Sequence, residues 1–283
     1  MYNDKYDYGS IKKHTDIINS IFKKEYHLDN ITKEKYKKIE SSRKDILLFT
    51  KDNIKNIDKK WAELLEPYFN DIRYINFHST NNYTIFLTYL RKIYISLSKS
   101  NNIEDFIIPT HEYLHILTFL LNEKSIDTIE RETISILGEL ITTYEMRKAH
   151  LFTSETNKAD INNFYIIDQQ LKAYPARLDV INNDISYKSI PKYLTTNYNV
   201  KKTDIKLIYD YSLDYMYSTI ISYFLAIELF EIYKQDKEKC IHICNQIIKS
   251  NKEFTQKLKD NNIEITKNSD EYIKKLKKEY FSQ

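Results

Sequence analysis

The stretch 107–121, IIPTHEYLHILTFLL, contains the pattern His-Glu-x-x-His at residues 111–115. On an α-helix His111 and His115 lie one turn apart on the same face, so both imidazoles can converge on one metal ion. Glu112 is offset sideways by one residue and can reach a water molecule at an open coordination position without being a ligand itself. The motif therefore predicts a helical zinc site in which Glu112 is the general base.

A third metal ligand is expected on the next helix, within IERETISILGELITTYE. Glu132 and Glu139 are seven residues apart, close to two helical turns, so they share one face, and Ser135 between them shares it too. Apolar residues occupy the opposite side. Acidic groups that face two histidines indicate a bound cation, and the spacing leaves either glutamate open as the third ligand. Pro109 is well placed to open the histidine-bearing helix.

The spacing Glu-x-x-Ser-x-x-x-Glu after HExxH resembles the thimet oligopeptidase/oligoendopeptidase F family of zinc peptidases. The segment ETISILGELITTYEMRK resembles that family's ligand helix, whose first glutamate binds zinc. The resemblance implies Glu132 as the third zinc ligand, with Glu139 as the alternative or as a supporting residue. The segment LIYDYSLDYMYSTIISYFLAIELF resembles the family's Tyr-rich loop and the long helix after it. The resemblance extends over about residues 70–280.

In that family, side chains from the Tyr-rich loop hydrogen-bond the oxyanion of the tetrahedral intermediate, a form of electrostatic stabilisation. The resemblance implies this role for Tyr217, with Tyr209 and Tyr215 in neighbouring positions.

Several features depart from the family pattern. The connection from His115 to Glu132 is shorter than usual, and the His expected before the Tyr-rich loop, near Leu207, has no replacement. Leu114 stands where the family usually has Gly, which could reshape the floor of the cleft. The chain also resembles a short, divergent member that lacks most of the N-terminal half.

The composition favours helices, because two Gly and four Pro in 283 residues provide little turn punctuation. Residues 72–98 differ: the β-branched and aromatic runs RYINFHST, YTIFLTYL and KIYISLS predict two or three strands. We therefore expect a mainly α fold with a small β-sheet (α+β). The resemblance implies a gluzincin-type zincin catalytic domain. The expected single domain, 1–283, comprises N-terminal helices (1–70), an edge sheet with the zinc-binding helices (71–150), and a C-terminal helical part with the Tyr-rich loop (151–283). The individual helices are expected at 11–26, 33–51, 57–69, 106–122, 128–150, 163–173, 204–235 and 237–259 and near the C-terminus, with loops over 175–205.

The net charge of +3 comes from interleaved charges of both signs, which argues against a nucleic-acid partner. The first residues do not resemble a signal peptide, and no apolar run suggests a membrane span, so a cytoplasmic location is expected. Cys240 and Cys244 are expected to be buried thiols, because a helix turns His242 away from both sulfurs. The sequence does not indicate an oligomeric state.

Two functions follow from these patterns. The first is a zinc-dependent endopeptidase, with Zn²⁺ as cofactor, that cleaves short peptides or an exposed peptide segment such as a leader. The second is a catalytically inactive helical interaction module derived from a metallopeptidase. The presence of Glu112 favours the enzyme, because a structural metal site needs no general base.

Overall fold

The computed structural model describes residues 15–24, 32–69, 82–87, 92–122, 127–183, 185–198, 205 and 213–281. The helices are α1 Thr15–Phe22, α2 Arg43–Ile57, α3 Lys59–Leu65, α4 Glu104–Leu121, α5 Thr128–Lys148, α6 Thr153–Asn182, α7 Ile190–Tyr198, α8 Leu213–Gln235, α9 Lys237–Lys249, α10 Phe254–Asp260 and α11 Ser269–Phe281. Short 3-10 turns occupy Glu66–Tyr68 and Tyr187–Ser189. The strands are β1 Tyr83–Leu87 and β2 Lys92–Ser96. This confirms the expected mainly α fold with a small sheet.

Helix α8 forms the centre of the core and packs against α5, α6 and α9. Its sequence is apolar on every side, and buried residues follow each other almost without interruption from Met216 to Phe230. Within the described residues it is the one helix long and apolar enough to cross a membrane, but 78% of its most apolar window is buried inside the fold. That burial is the pattern of a core helix.

Helix α4, which carries the HExxH motif, packs between α5 and the N-terminal helices α2 and α3. It begins at Glu104, so Pro109 lies inside it, and the expectation that this proline opens the helix is wrong. The start of α4 is held by the Asp105 carboxylate, which accepts hydrogen bonds from the backbone N–H groups of Ser100 (2.7 Å) and Asn101 (2.9 Å). With its start held in this way, α4 begins five residues before Pro109.

The two strands form an antiparallel pair in which Tyr83 lies opposite Ser96 and Thr84 opposite Ile95. Ile95 and Ser96 are buried, and both strands contact α4. The hairpin therefore stands directly beside the HExxH helix. The expected strand over 73–80 lies outside the described residues.

The helix expected over 33–51 is wrong in its first half, because α2 begins only at Arg43. Ser42 forms a capping box: its hydroxyl accepts from the backbone N–H of Asp45, and the Asp45 carboxylate accepts from the backbone N–H of Ser42. The helix expected over 57–69 begins two residues later, at Lys59, because the Asp58 side chain accepts from the backbone N–H of Trp61 and caps α3. Local capping chemistry decides both boundaries.

Residues 32–42 carry no regular secondary structure and run along α6, which supplies hydrogen bonds to their backbone. The Asn162 side chain accepts from the backbone N–H of Glu34 (2.7 Å) and donates to its carbonyl (3.1 Å). The Glu155 carboxylate accepts from the backbone N–H of Lys37 (2.7 Å). These tertiary contacts replace the intrahelical hydrogen bonds that the amphipathic pattern predicted.

The helix expected over 163–173 is longer than predicted, since α6 continues through Pro175 to Asn182. A proline inside a helix costs about 3 kcal/mol. Its neighbours Tyr174 and Ala176 are both buried in the core, which favours continuing the helix. The loop expected over 175–205 is accordingly wrong where α6 and α7 occupy it.

The single helix expected over 237–259 is two helices. Helix α9 ends at Lys249, because the backbone of Ser250 is extended, and α10 begins at Phe254. Cys240 and Cys244 of α9 are both buried and free, whereas His242 is exposed. The expectation of two buried thiols is confirmed.

Candidate active site

Helices α4 and α5 bring two imidazoles and one carboxylate together. The Nε2 atoms of His111 and His115 are 3.0 Å apart. Each of these nitrogens lies 3.7 Å from a different carboxylate oxygen of Glu132. One ligand atom from each of the three residues lies within 4.8 Å of the other two, an arrangement that could hold a metal ion.

The same face of α5 also holds the outer nitrogen of each imidazole. Oε1 of Glu139 lies 2.5 Å from Nδ1 of His111, and the Ser135 hydroxyl lies 3.1 Å from Nδ1 of His115. Asn163 of α6 in turn donates to Oε2 of Glu139 at 3.4 Å. Contacts of this kind set the ring orientation and tautomer of metal-binding histidines. Glu132 faces the Nε2 atoms of both histidines, the inner nitrogens, whereas Glu139 faces Nδ1 of His111, an outer nitrogen.

The donor set fits zinc in type and spacing. Zinc binds imidazole nitrogen and carboxylate oxygen at about 2.0–2.2 Å with tetrahedral geometry, so neighbouring ligand atoms lie roughly 3.3–3.5 Å apart. The separations of 3.0 and 3.7 Å between the atoms of His111, His115 and Glu132 bracket this range. Two histidines and one glutamate are also the protein ligands of one class of catalytic zinc site, which leaves a coordination position open.

Glu112 is buried beside the cluster, and the sheet holds its side chain. The hydroxyl of Thr84 in β1 lies 2.6 Å from Oε2 of Glu112 and 3.1 Å from the main-chain oxygen of the same residue. The general base predicted from the sequence is therefore attached to both the helix that carries the histidines and the neighbouring strand.

Burial and the concentration of carboxylates shift the pKa values of the site. Burial raises the pKa of Glu112 and of Glu132. Burial lowers the pKa of His111, but the hydrogen bond with Glu139 and the charges of all three glutamates outweigh it and raise the pKa to about 9. For His115, burial and then the His111 charge lower the pKa well below its usual value. Three carboxylates around two imidazoles favour the binding of a cation.

The tyrosines named in the sequence analysis occupy different environments. Tyr217 of α8 is 1% exposed, and its ring centroid lies 6.1 Å from that of Tyr174. Tyr215 is 37% exposed at the surface. Tyr209 lies outside the described residues. The oxyanion-stabilising role of these residues stays a prediction.

Sequence reasoning missed Thr84 and Asn163, which support Glu112 and Glu139 respectively. It also missed Tyr36, whose hydroxyl interacts with Asn162 and Glu104 near Glu139. None of these contacts is signalled locally, because each joins elements that are distant along the chain. A single threonine in a strand produces no periodic sequence pattern that would identify it as a partner of Glu112.

Leu114, which departs from the family pattern, lies on the side of α4 that faces α5. It is buried, and a Cβ atom added at Gly138 of α5 would come within 2.2 Å of its Cδ1 atom. The bulky side chain is therefore accommodated by the glycine across the helix pair. Leu114 therefore packs between α4 and α5, and the expectation that it reshapes the cleft floor stays a prediction.

We expect Gly138→Ala to lower the free energy of unfolding by about 1–3 kcal/mol through overpacking against Leu114. The sign is informative, because Gly→Ala inside a helix otherwise stabilises by about 1 kcal/mol. In a Leu114→Ala background the same substitution should become neutral or stabilising. Urea unfolding of the wild type, the two single variants and the double variant measures the free energies of unfolding. Stabilisation by Gly138→Ala in the wild-type background would contradict the close contact.

Solved structures of peptidases share this fold. PZ peptidase A with an inhibitor matches with a TM-score of 0.67 and 10% identity over 87% of this chain and 50% of that one. A structure assigned as oligoendopeptidase F from Bacillus anthracis str. Ames matches with a TM-score of 0.63 and 12% identity over 93% of this chain and 53% of that one. A further oligoendopeptidase F structure matches with a TM-score of 0.64 and 10% identity over 87% and 50% of the two chains.

No protein-family model matches the chain, and no curated protein matches it by sequence. The chain spans about half the length of the structures it matches. Its fold is that of the PZ peptidase A and oligoendopeptidase F structures, as the sequence resemblance implied.

Proposed function

We propose that this chain is a zinc-dependent endopeptidase in which His111, His115 and Glu132 bind the metal. The observation that carries the proposal is the convergence of these side chains from α4 and α5, with the buried carboxylate of Glu112 one residue from the first histidine. The peptidase fold supports it independently. Glu139 and Ser135 hold the histidine rings rather than completing the donor set.

The roles of the residues follow from their positions. Zinc, when bound, supplies a Lewis acid that polarises the scissile carbonyl and lowers the pKa of a water molecule. Glu112 accepts the proton of the attacking water and returns it to the leaving amine. Glu139 keeps Nε2 of His111 directed at the shared space, because it occupies Nδ1. We also propose that Tyr217 or a neighbouring tyrosine donates to the developing oxyanion.

The position of the hairpin suggests how a substrate lies in the site. An extended peptide that pairs with this sheet would pass Glu112, because Thr84 of β1 contacts that residue directly. Strand pairing recognises the peptide backbone and therefore suits substrates of varied sequence. Short peptides, or one exposed segment of a protein such as a leader, are the substrates that we propose.

Protein purified without added zinc is expected to contain about one equivalent of zinc and to cleave members of a mixed peptide library. A chelator should remove the metal and the cleavage together, and added zinc should restore both. Metal analysis by mass spectrometry and identification of the cleavage products measure the two properties.

The outcomes separate the candidate functions. Zinc without any cleavage would overturn the enzymatic proposal in favour of a helical interaction module. Cleavage that persists after complete removal of zinc would instead place the activity outside this cluster.

A further inference from the structure

We propose that Thr84 is a positioning residue for the general base, because its hydroxyl fixes the Glu112 carboxylate from the neighbouring strand. This inference rests on the proposed peptidase function. It adds a residue from the sheet to a site otherwise built from two helices. The observation that carries it is the 2.6 Å contact between the Thr84 hydroxyl and Oε2 of Glu112.

The distances indicate which oxygen of Glu112 accepts the hydroxyl proton of Thr84. A threonine hydroxyl can donate a single hydrogen bond, and the Thr84 oxygen has two acceptors on Glu112, Oε2 at 2.6 Å and the main-chain oxygen at 3.1 Å. The carboxylate is closer and charged, so it receives the stronger bond. The main-chain oxygen keeps the hydroxyl satisfied when the carboxylate moves or takes up a proton.

The contact matters because Glu112 is 4% exposed, and few water molecules can solvate or orient its carboxylate there. A glutamate side chain has three rotatable bonds, and an untethered carboxylate would populate several rotamers. With Oε2 held by Thr84, the other oxygen, Oε1, is left to accept the proton of the attacking water. Proton transfer requires the base within hydrogen-bond reach, so loss of the tether lowers the turnover rate.

The kinetic test compares Thr84→Val with Thr84→Ser and with a matched control, Thr50→Val. Valine keeps the shape and removes the hydroxyl, whereas serine keeps the hydroxyl. Thr50 of α2 is a buried threonine whose hydroxyl donates to the carbonyl of Ile46 (2.8 Å) within its own helix. We expect kcat to fall about 10- to 100-fold in Thr84→Val with KM within about twofold, and to recover in Thr84→Ser. Thr50→Val should keep the wild-type kcat.

Zinc content must be measured for each variant. It should stay at the wild-type level, because the described hydrogen bonds of Thr84 are to Glu112 and not to the histidines. A wild-type kcat in Thr84→Val would overturn the inference. Equal losses in the valine and serine variants would also overturn it, since the hydroxyl would then be irrelevant.

A second test uses zinc-free protein and needs no activity. A double-mutant cycle of Thr84→Val and Glu112→Met, followed by thermal unfolding, measures whether the two side chains interact. We expect Thr84→Val to lower Tm by about 2–4 °C in the wild type and by less than half as much in Glu112→Met. Equal Tm shifts in both backgrounds would overturn the inference. This result would stand even if the chain proved not to be a peptidase.

Discussion

Glu112→Gln is expected to lower kcat/KM for a cleaved peptide by about 1,000- to 10,000-fold, in the upper part of the range for loss of a general base. Glutamine keeps the size of the side chain, and its amide oxygen can still accept from Thr84. It cannot take a proton from the attacking water at neutral pH. Steady-state kinetics and zinc analysis on the same preparation measure the effect, and the zinc content should stay at one equivalent.

The control for this substitution is Glu145→Gln, which removes the same charge from the partner helix α5. The Glu145 carboxylate lies near Lys148 (3.6 Å) and accepts from the Tyr233 hydroxyl (3.5 Å). Its loss should leave kcat/KM within about twofold of wild type. Retention of most of the activity in Glu112→Gln would remove this residue from the mechanism.

The residues of the candidate site could be predicted from the sequence because they obey one local rule, the period of the α-helix. His111 and His115 are one turn apart on α4, and Glu132, Ser135 and Glu139 are spread over two turns of α5. The period predicted that each set shares a face. It could not decide between Glu132 and Glu139, because the choice depends on how α4 and α5 cross. Their separate contacts with the inner and outer histidine nitrogens appear only in three dimensions.

The errors share a different cause. Residues 32–42 have a helical pattern of charged and apolar residues, but side chains of α6 hydrogen-bond their backbone, which forms no regular helix. Pro175 would normally end a helix, but the burial of its neighbours favours continuing α6. In both cases a distant element outweighs the local preference, and a single sequence does not show which distant elements will meet.

The departure at Leu114 illustrates the same limit at the scale of one contact. Along the chain, a leucine in place of the glycine before the second histidine of HExxH predicts a reshaped cleft floor. In the fold, the leucine faces Gly138, so the small residue that lets the two helices approach stands on α5. Both halves of this compensation are visible in the sequence, but only the helix pair joins them.

Glu132→Ala should weaken zinc binding by several hundred-fold, whereas Glu139→Ala should weaken it by about 10- to 100-fold. The first value follows from the zinc-binding free energy of roughly 10–16 kcal/mol of structural sites with four protein ligands, or roughly 2.5–4 kcal/mol for each ligand. The second is the usual effect of removing a group that orients a ligand. Competition with a chromophoric chelator measures both dissociation constants.

The comparison is sharp because the two glutamates lie on one face of one helix and both contact His111. Glu132→Ala removes the carboxylate whose oxygens lie 3.7 Å from the Nε2 atom of each histidine. Alanine at position 139 leaves the donors in place but frees the ring of His111 to rotate. Glu145→Ala, on the same helix, should leave the zinc affinity at the wild-type value. A larger loss in Glu139→Ala than in Glu132→Ala would reverse the assignment of the third ligand, because the outer position would then hold the metal.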